Sequence, residues 1–132
     1  MKALDTNILI RFLVADEPRQ AQLVYRLFKN AERKNERFFV SLLVVLETLW
    51  VLDSVYEYTS AEIVEALKGL LALRVLDFES ASVLREWLET AQTSKGDLSD
   101  LLIGHVAHNK GCSSVLTFDK KASRHPLFDE LV

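Results

Sequence analysis

"RFFVSLLVVLETLW", residues 37–50, decides how this chain is built. Phe38–Val40 reads as a short buried strand. Ser41 follows as a helix cap, and the apolar run continues to Leu52, which predicts a helix of about 15 residues. The same stretch carries one charge. Between Phe38 and Leu52 only Ser41, Glu47 and Thr48 break the apolar run. Taking an ionised carboxylate out of water is costly unless something compensates it. A basic partner, a raised pKa, a metal ion, or a kink that leaves Glu47 at the surface would each do so.

The pattern repeats outward from this unit. "MKALD" (1–5) reads as a short strand ending at Asp5, and "TNILIRFLVAD" (6–16) as a helix capped by Thr6 or Asn7. "EPRQAQLVYRLFKNAERKN" (17–35) sets Ala21, Val24, Leu27, Phe28 and Ala31 at helical spacing, with Pro18 in the first turn. "TSAEIVEALKGLLAL" (59–73) opens with Thr59 or Ser60 as cap and Glu62 near the third position, a capping-box pattern. "RVLDF" (74–78) and "SSVLTF" (113–118) read as strands. "ESASVLREWLETAQTS" (79–94) reads as a helix with Val83, Leu84, Trp87, Leu88 and Ala91 inward. "DLSDLLIGHVAHNKG" (97–111) is a helix stopped by Gly111, and "DKKASRHP" (119–126) a turn or short helix. Short apolar strands alternating with longer helices predict an α/β sandwich around a parallel sheet, where ligands bind at the carboxyl ends of the strands.

The bulk numbers bound the rest. A chain of 132 residues suits one domain, 1–132, and 49% hydrophobic with 27% charged residues is the profile of a soluble globular core. There is no apolar run long enough to span a membrane and no signal-peptide pattern after "MKALDTN". The single cysteine, Cys112, forbids an internal disulfide and suits a reducing compartment, so the expected location is the cytoplasm. A net charge of −3 argues against a broad basic nucleic-acid surface, while leaving room for an enzyme whose metal ions meet the phosphate. Basic residues cluster in "KNAERKNER" (29–37) and "KKASR" (120–124), and each reads on its own as a solvated face or turn.

Four carboxylates map to the carboxyl edge of the expected sheet. Asp5 ends the first strand, Glu47 lies in the second turn of the helix after the second, Asp100 lies in the first turn of its helix, and Asp119 follows "VLTF". Such a group repels itself unless it is protonated or neutralised, and Mg²⁺ or Mn²⁺ with oxygen ligands would neutralise it. Each Asp also has a plainer role: Asp5 as a helix cap, Asp97 and Asp100 as a D-x-x-D cap, Asp119 as a turn residue. Glu47 has none, so the set carries the signal. His105 and His108, three apart on one helix, lack a nearby cysteine and read as surface or packing residues, not a zinc pair. Ser41, Ser99 and Thr117 read as caps. Trp50, Trp87, Tyr25 and Phe28 read as core. No Gly-rich phosphate loop, G-x-S-x-G elbow or H-E-x-x-H is present.

"LDTNILIRFL" (4–13), Glu47 in its apolar helix, "DLSDLLIGHVA" (97–107) and "VLTFDKKA" (115–122), in this order, resemble the PIN-domain family, in particular the VapC toxins of bacterial toxin–antitoxin pairs. The resemblance covers essentially the whole chain. It implies a three-layer α/β/α sandwich with a central parallel sheet and a Mg²⁺- or Mn²⁺-dependent endoribonuclease. Asp5, Glu47, Asp100 and Asp119 match the family's catalytic and metal-binding acids. Asp97 matches a further acid just upstream, and Thr6 and Asn7 match the polar pair that orders the first acid and the metal's water. It also implies a homodimer, a VapB-like antitoxin partner and products with a 3′-hydroxyl and a 5′-phosphate. His105 stands where the family often has a small residue. The apolar richness of residues 44–67 points to a dimer interface independently. Three rivals remain: a receiver-type domain, which needs a second adjacent acid that "LDTN" lacks; a PIN-like RNA- or protein-binding module without turnover; and a DNA flap nuclease, for which the chain lacks an added DNA-binding element.

Overall fold

Apolar periodicity gives most of the helices a buried stripe, and the strands between them are only two or three residues long. The computed structural model describes residues 1–132, which divide into two compact units, Met1–Ala81 and Ser82–Val132.

The first unit holds β1 (Lys2–Ala3), α1 (Thr6–Val14), α2 (Pro18–Lys34), β2 (Phe38–Val40), α3 (Leu42–Ser54), α4 (Ser60–Leu71) and β3 (Leu76–Phe78). Its three strands are parallel in the order β1-β2-β3, with Lys2 opposite Phe38 and Phe38 opposite Leu76. Period-two alternation buries Phe38 and Val40 in β2 and Leu76 and Phe78 in β3. Phe28 of α2 packs between Phe12 (centroids 5.1 Å apart) and Phe38 (6.0 Å), which seats α1 and α2 on the sheet. Pro18 opens α2 as expected, and Asn35 ends it in the left-handed region that Asn tolerates. Thr59 and Glu62 form the expected capping box of α4. Beyond the end of α1, Arg11 pairs with Asp16 at 3.5 Å, and the Tyr56 hydroxyl donates to Asp16 at 2.8 Å.

The second unit holds α5 (Ala81–Thr93), α6 (Leu98–Asn109), β4 (Val115–Thr117), a single 3₁₀ turn at Ala122–Arg124, and β5 (Phe128–Glu130). β4 and β5 pair in parallel, Val115 opposite Phe128. Trp87 is fully buried, and its indole N–H donates to the Leu98 carbonyl at 2.9 Å, tying α5 to the first turn of α6. β5 packs closely on α6 at Gly104, where a Cβ would stand 3.0 Å from the Phe128 ring. Gly111, at φ +90°, ends the α6 region as expected.

The α/β class with parallel strands agrees with the sequence reading. Four details differ. The first helix is capped by Asp5, not by Thr6 or Asn7. β5 was not anticipated, because two of its three residues are acidic and no apolar run marks it. Trp50 (54% exposed) and Tyr25 are surface residues, and Leu27 is partly exposed (39%), whereas Trp87 and Phe28 are core. α3 is apolar on nearly every side, so periodicity could not say that Val45, Thr48, Leu49 and Leu52 face inward while Leu43, Glu47 and Trp50 face out. In α2, Tyr25 and Leu27 flank the buried stripe of Val24, Phe28 and Ala31. No helix is long and apolar enough to cross a membrane.

Candidate active site

At the carboxyl edge of the first sheet every strand leads into a polar residue that fixes a helix start. Asp5 caps α1, its Oδ1 accepting from the Thr6 amide at 2.8 Å. Ser41 caps α3, its hydroxyl accepting from the Val44 amide at 3.2 Å. Glu79, just after β3, accepts from the Leu42 amide at 2.9 Å. The sequence reading missed Glu79, although "LDFES" does place an acid directly after a strand.

Glu47 needs no kink to reach the surface. α3 runs unbroken past it, and its side chain stands on the outer face. Thr6, itself only 4% exposed, donates its hydroxyl to Glu47 Oε1. An O–H donor to a carboxylate is a strong, charge-assisted hydrogen bond. Thr6 thus serves two acids, Asp5 through its amide and Glu47 through its hydroxyl. Asn7 is exposed and makes no side-chain hydrogen bond to the protein. Thr48, buried beside Glu47, satisfies its own hydroxyl on the Val44 carbonyl at 2.7 Å.

In the second unit Asp97 caps α6, its Oδ1 accepting from the Asp100 amide (3.0 Å) and the Ser99 hydroxyl (2.5 Å). Partial burial pushes its carboxyl up, but the hydrogen bonds from the Ser99 hydroxyl and the Asp100 and Ser99 amides outweigh this. The net position is below the ordinary carboxylate range, so Asp97 stays ionised. Asp100 is displaced the other way, first by burial, then by the negative charges of Asp97 and Asp119. Asp119 makes the expected turn: its Oδ1 accepts from the amides of Lys121 (2.8 Å) and Ala122 (3.3 Å), and its own amide donates to the Thr117 hydroxyl oxygen at 3.0 Å.

The plain roles of Asp5, Asp97 and Asp119 are therefore real, yet each uses one oxygen and leaves the other without a protein donor. The donors are all hard oxygens, suited to Mg²⁺ or Mn²⁺. Acid crowding around Asp100 is the electrostatic condition that a cation relieves. The donor chemistry fits such an ion, although no three His, Cys, Asp or Glu side chains are drawn together into a closed ligand group.

His105 is half-buried with its Nε2 unpartnered. Burial draws its pKa down, Glu86 raises it, and His125 and His108 add to the lowering. His108 is exposed, in keeping with surface and packing roles for the two. A cleft of about 660 Å³ opens in the first unit, lined by Phe12, Tyr25, Phe28, Arg37, Leu73 and Arg74 among others. Arg37 precedes β2 and Arg74 precedes β3, so this cleft lies at the amino-terminal edge and contains none of the candidate acids.

Residues 2–126 match the family model described as PIN domain. The chain is 26% identical over 121 residues to a protein described as VapC ribonuclease from Aquifex aeolicus (strain VF5), covering 92% of this chain and 89% of that protein. No solved structure matches.

Proposed function

The chain belongs to the PIN-domain family, and on that premise we propose that it is a metal-dependent endoribonuclease, the toxin of a VapBC-type toxin–antitoxin pair, cutting tRNA or another structured RNA. The observation that carries this reading is the gathering of Asp97, Asp100 and Asp119 around the start of α6, where burial first, and then the charges of Asp97 and Asp119, hold the Asp100 carboxyl above its ordinary range. The likeness to the Aquifex aeolicus ribonuclease supports the substrate class. Residues 1–132 are taken as one PIN-like nuclease domain.

On this reading Asp5, Glu47, Asp100 and Asp119, with Asp97, would hold one or two Mg²⁺ or Mn²⁺ ions. When bound, such an ion lowers the pKa of a water and offsets charge on the phosphoryl oxygens. The protein's own groups do the rest. Thr6 holds Glu47 in one rotamer. The amide bonds to Asp5 and Asp119 fix those carboxyls with one oxygen free. Asp97 remains charged, and Asp100, whose proton affinity is raised, orients the attacking water and takes its proton on a carboxylate oxygen, with Glu47 as the other candidate. Attack in line at phosphorus breaks the bond to the 3′ oxygen, which takes a proton from solvent, leaving a 3′-hydroxyl on one fragment and a 5′-phosphate on the other.

The partners that go with this reading are a VapB-like antitoxin and a second copy of the chain, in the cytoplasm. Leu43, Trp50 and Val55, all exposed along α3 and its end, support the dimer.

The test is cleavage of total tRNA and of a defined single-stranded RNA with Mg²⁺, Mn²⁺ or EDTA, beside the Glu47→Gln protein. Discrete cuts that need metal and vanish with Glu47→Gln are expected. A second reading, a PIN-like RNA- or protein-binding module without turnover, is favoured by the lack of a closed three-ligand group. A folded, antitoxin-free protein that cuts nothing with either metal would point to such a module or to a narrow substrate outside the two RNAs tested.

A further inference from the structure

Phe118 is 79% exposed at the end of β4, directly before Asp119. Exposure alternates along this strand: Val115 and Thr117 are half-covered, while Leu116 (67% exposed) and Phe118 point to the other, open side. The Asp119 carboxylate turns back onto the amides of its own turn, so the ring is the last side chain presented outward before that turn. A phenylalanine left this bare in water calls for a partner.

The surrounding charge says which kind. The two basic clusters of the chain differ in how their cations are used. In the first, Lys29 pairs with Glu32 (3.9 Å), Arg37 with Asp77 (4.0 Å), and Arg33 donates to Asn30, which leaves Lys34 as the one cation with no partner. In the second, Lys120, Lys121 and Arg124 are all exposed and enter no ion pair. An aromatic face beside cations without carboxylate partners is the arrangement that binds single-stranded nucleic acid: the bases stack and the phosphates meet the cations. An apolar protein partner would use the ring but leave the three cations unmatched.

Resting on the nuclease reading above, we propose that Phe118 is the stacking platform for an unpaired base next to the cleaved phosphodiester, with Lys120, Lys121 and Arg124 contacting the flanking phosphates. The ring positions the strand against Asp119 and does no chemistry itself. It selects unpaired RNA, since a base must leave its helix to lie on the ring.

The test uses the full chain carrying Asp100→Asn, with Mg²⁺, and a set of short single-stranded oligoribonucleotides bearing 2-aminopurine at successive positions. One position should be quenched on binding. Phe118→Leu should weaken binding on the order of tenfold or more and abolish the quench, while Phe118→Tyr stays within about twofold. An abasic nucleotide at the quenched position should cost the Phe118 protein a similar factor and cost Phe118→Leu nothing further, because the two changes remove one contact. Replacing Lys120 and Lys121 should lower the slope of log affinity against log salt by about 0.7 each. Melting curves establish that each variant is folded. Affinity unchanged in Phe118→Leu, equal loss in Phe118→Leu and Phe118→Tyr, additive losses with the abasic strand, or a changed oligomeric state with RNA binding intact would each overturn the proposal. Failure of the nuclease reading is separate: it would appear as a wild-type chain that binds and quenches the oligonucleotide but never cuts RNA.

Discussion

The buried hydroxyl of Thr6 donates to Oε1 of Glu47, joining the residue that follows the first strand to an acid on the outer face of α3, 41 positions later. A lone acid in an apolar run is held at the surface by a specific donor. Thr6→Val keeps the side-chain shape and removes that donor. Because Glu47 can recover water, the expected loss of stability is only about 1 kcal/mol. The loss of cleavage should be larger than the melting curve suggests, and Thr6→Ser should restore it. Equal rates for Thr6→Val and wild type would show that Glu47 needs no fixing.

Asp5 caps α1, and substitutions can separate that role from the metal-binding one proposed for it. Asparagine caps helices as well as aspartate does, whereas alanine costs about 1 kcal/mol. Asp5→Asn should therefore melt close to wild type, and Asp5→Ala lower. Both should lose cleavage. An Asp5→Asn protein that cuts at the wild-type rate would reduce Asp5 to its cap.

Asp100 and Asp97 pull the pH dependence of stability in opposite directions. The raised folded pKa of Asp100 makes its ionisation unfavourable to folding, a cost present above that folded pKa and relieved as pH falls through it. Asp97, with a lowered folded pKa, stabilises the fold above its unfolded value and loses that contribution as pH falls through the folded one. Asp100→Asn should raise the melting temperature at neutral pH and flatten the change just above the ordinary carboxylate range. Mg²⁺ should raise the wild-type melting temperature more than that of Asp100→Asn, since an ion bound only to the folded state stabilises it. Cleavage by Asp100→Asn should fall by about 10²-fold or more.

Trp87 ties α5 to the first turn of α6. Trp87→Phe keeps most of the packing but leaves the Leu98 carbonyl without its indole donor, a loss of about 1–3 kcal/mol. Trp87→Ala should cost about 3–5 kcal/mol. Since Leu98 lies between Asp97 and Asp100, Trp87→Phe should also lower cleavage at temperatures where the protein is still folded. Circular dichroism beside the cleavage assay separates the two effects.

Much was legible in the sequence because it was local. The Ser41 cap, the Thr59–Glu62 capping box, Pro18 in the first turn of α2 and the stop at Gly111 depend on residues a few positions apart, whose backbone preferences act whatever the rest of the chain does. So do the turn at Asp119 and the cap at Asp97. The identity of the acids was equally plain. Which way α3 faces was not, because a helix apolar on every side has no period to read. The burial of Trp87 was legible from its helical spacing, whereas the exposure of Trp50 and Phe118 was settled by which elements pack on them. β5 rests on parallel pairing with β4 across ten intervening residues, 118–127, a register no local pattern carries. The bond from Thr6 to Glu47 is of the same kind. The sequence by itself determined the helix starts, the strand candidates and the inventory of carboxylates, since these follow from short-range sterics and hydrogen bonding. Only the tertiary structure decided which side of α3 met water and which hydroxyl reached Glu47, because both depend on non-local packing.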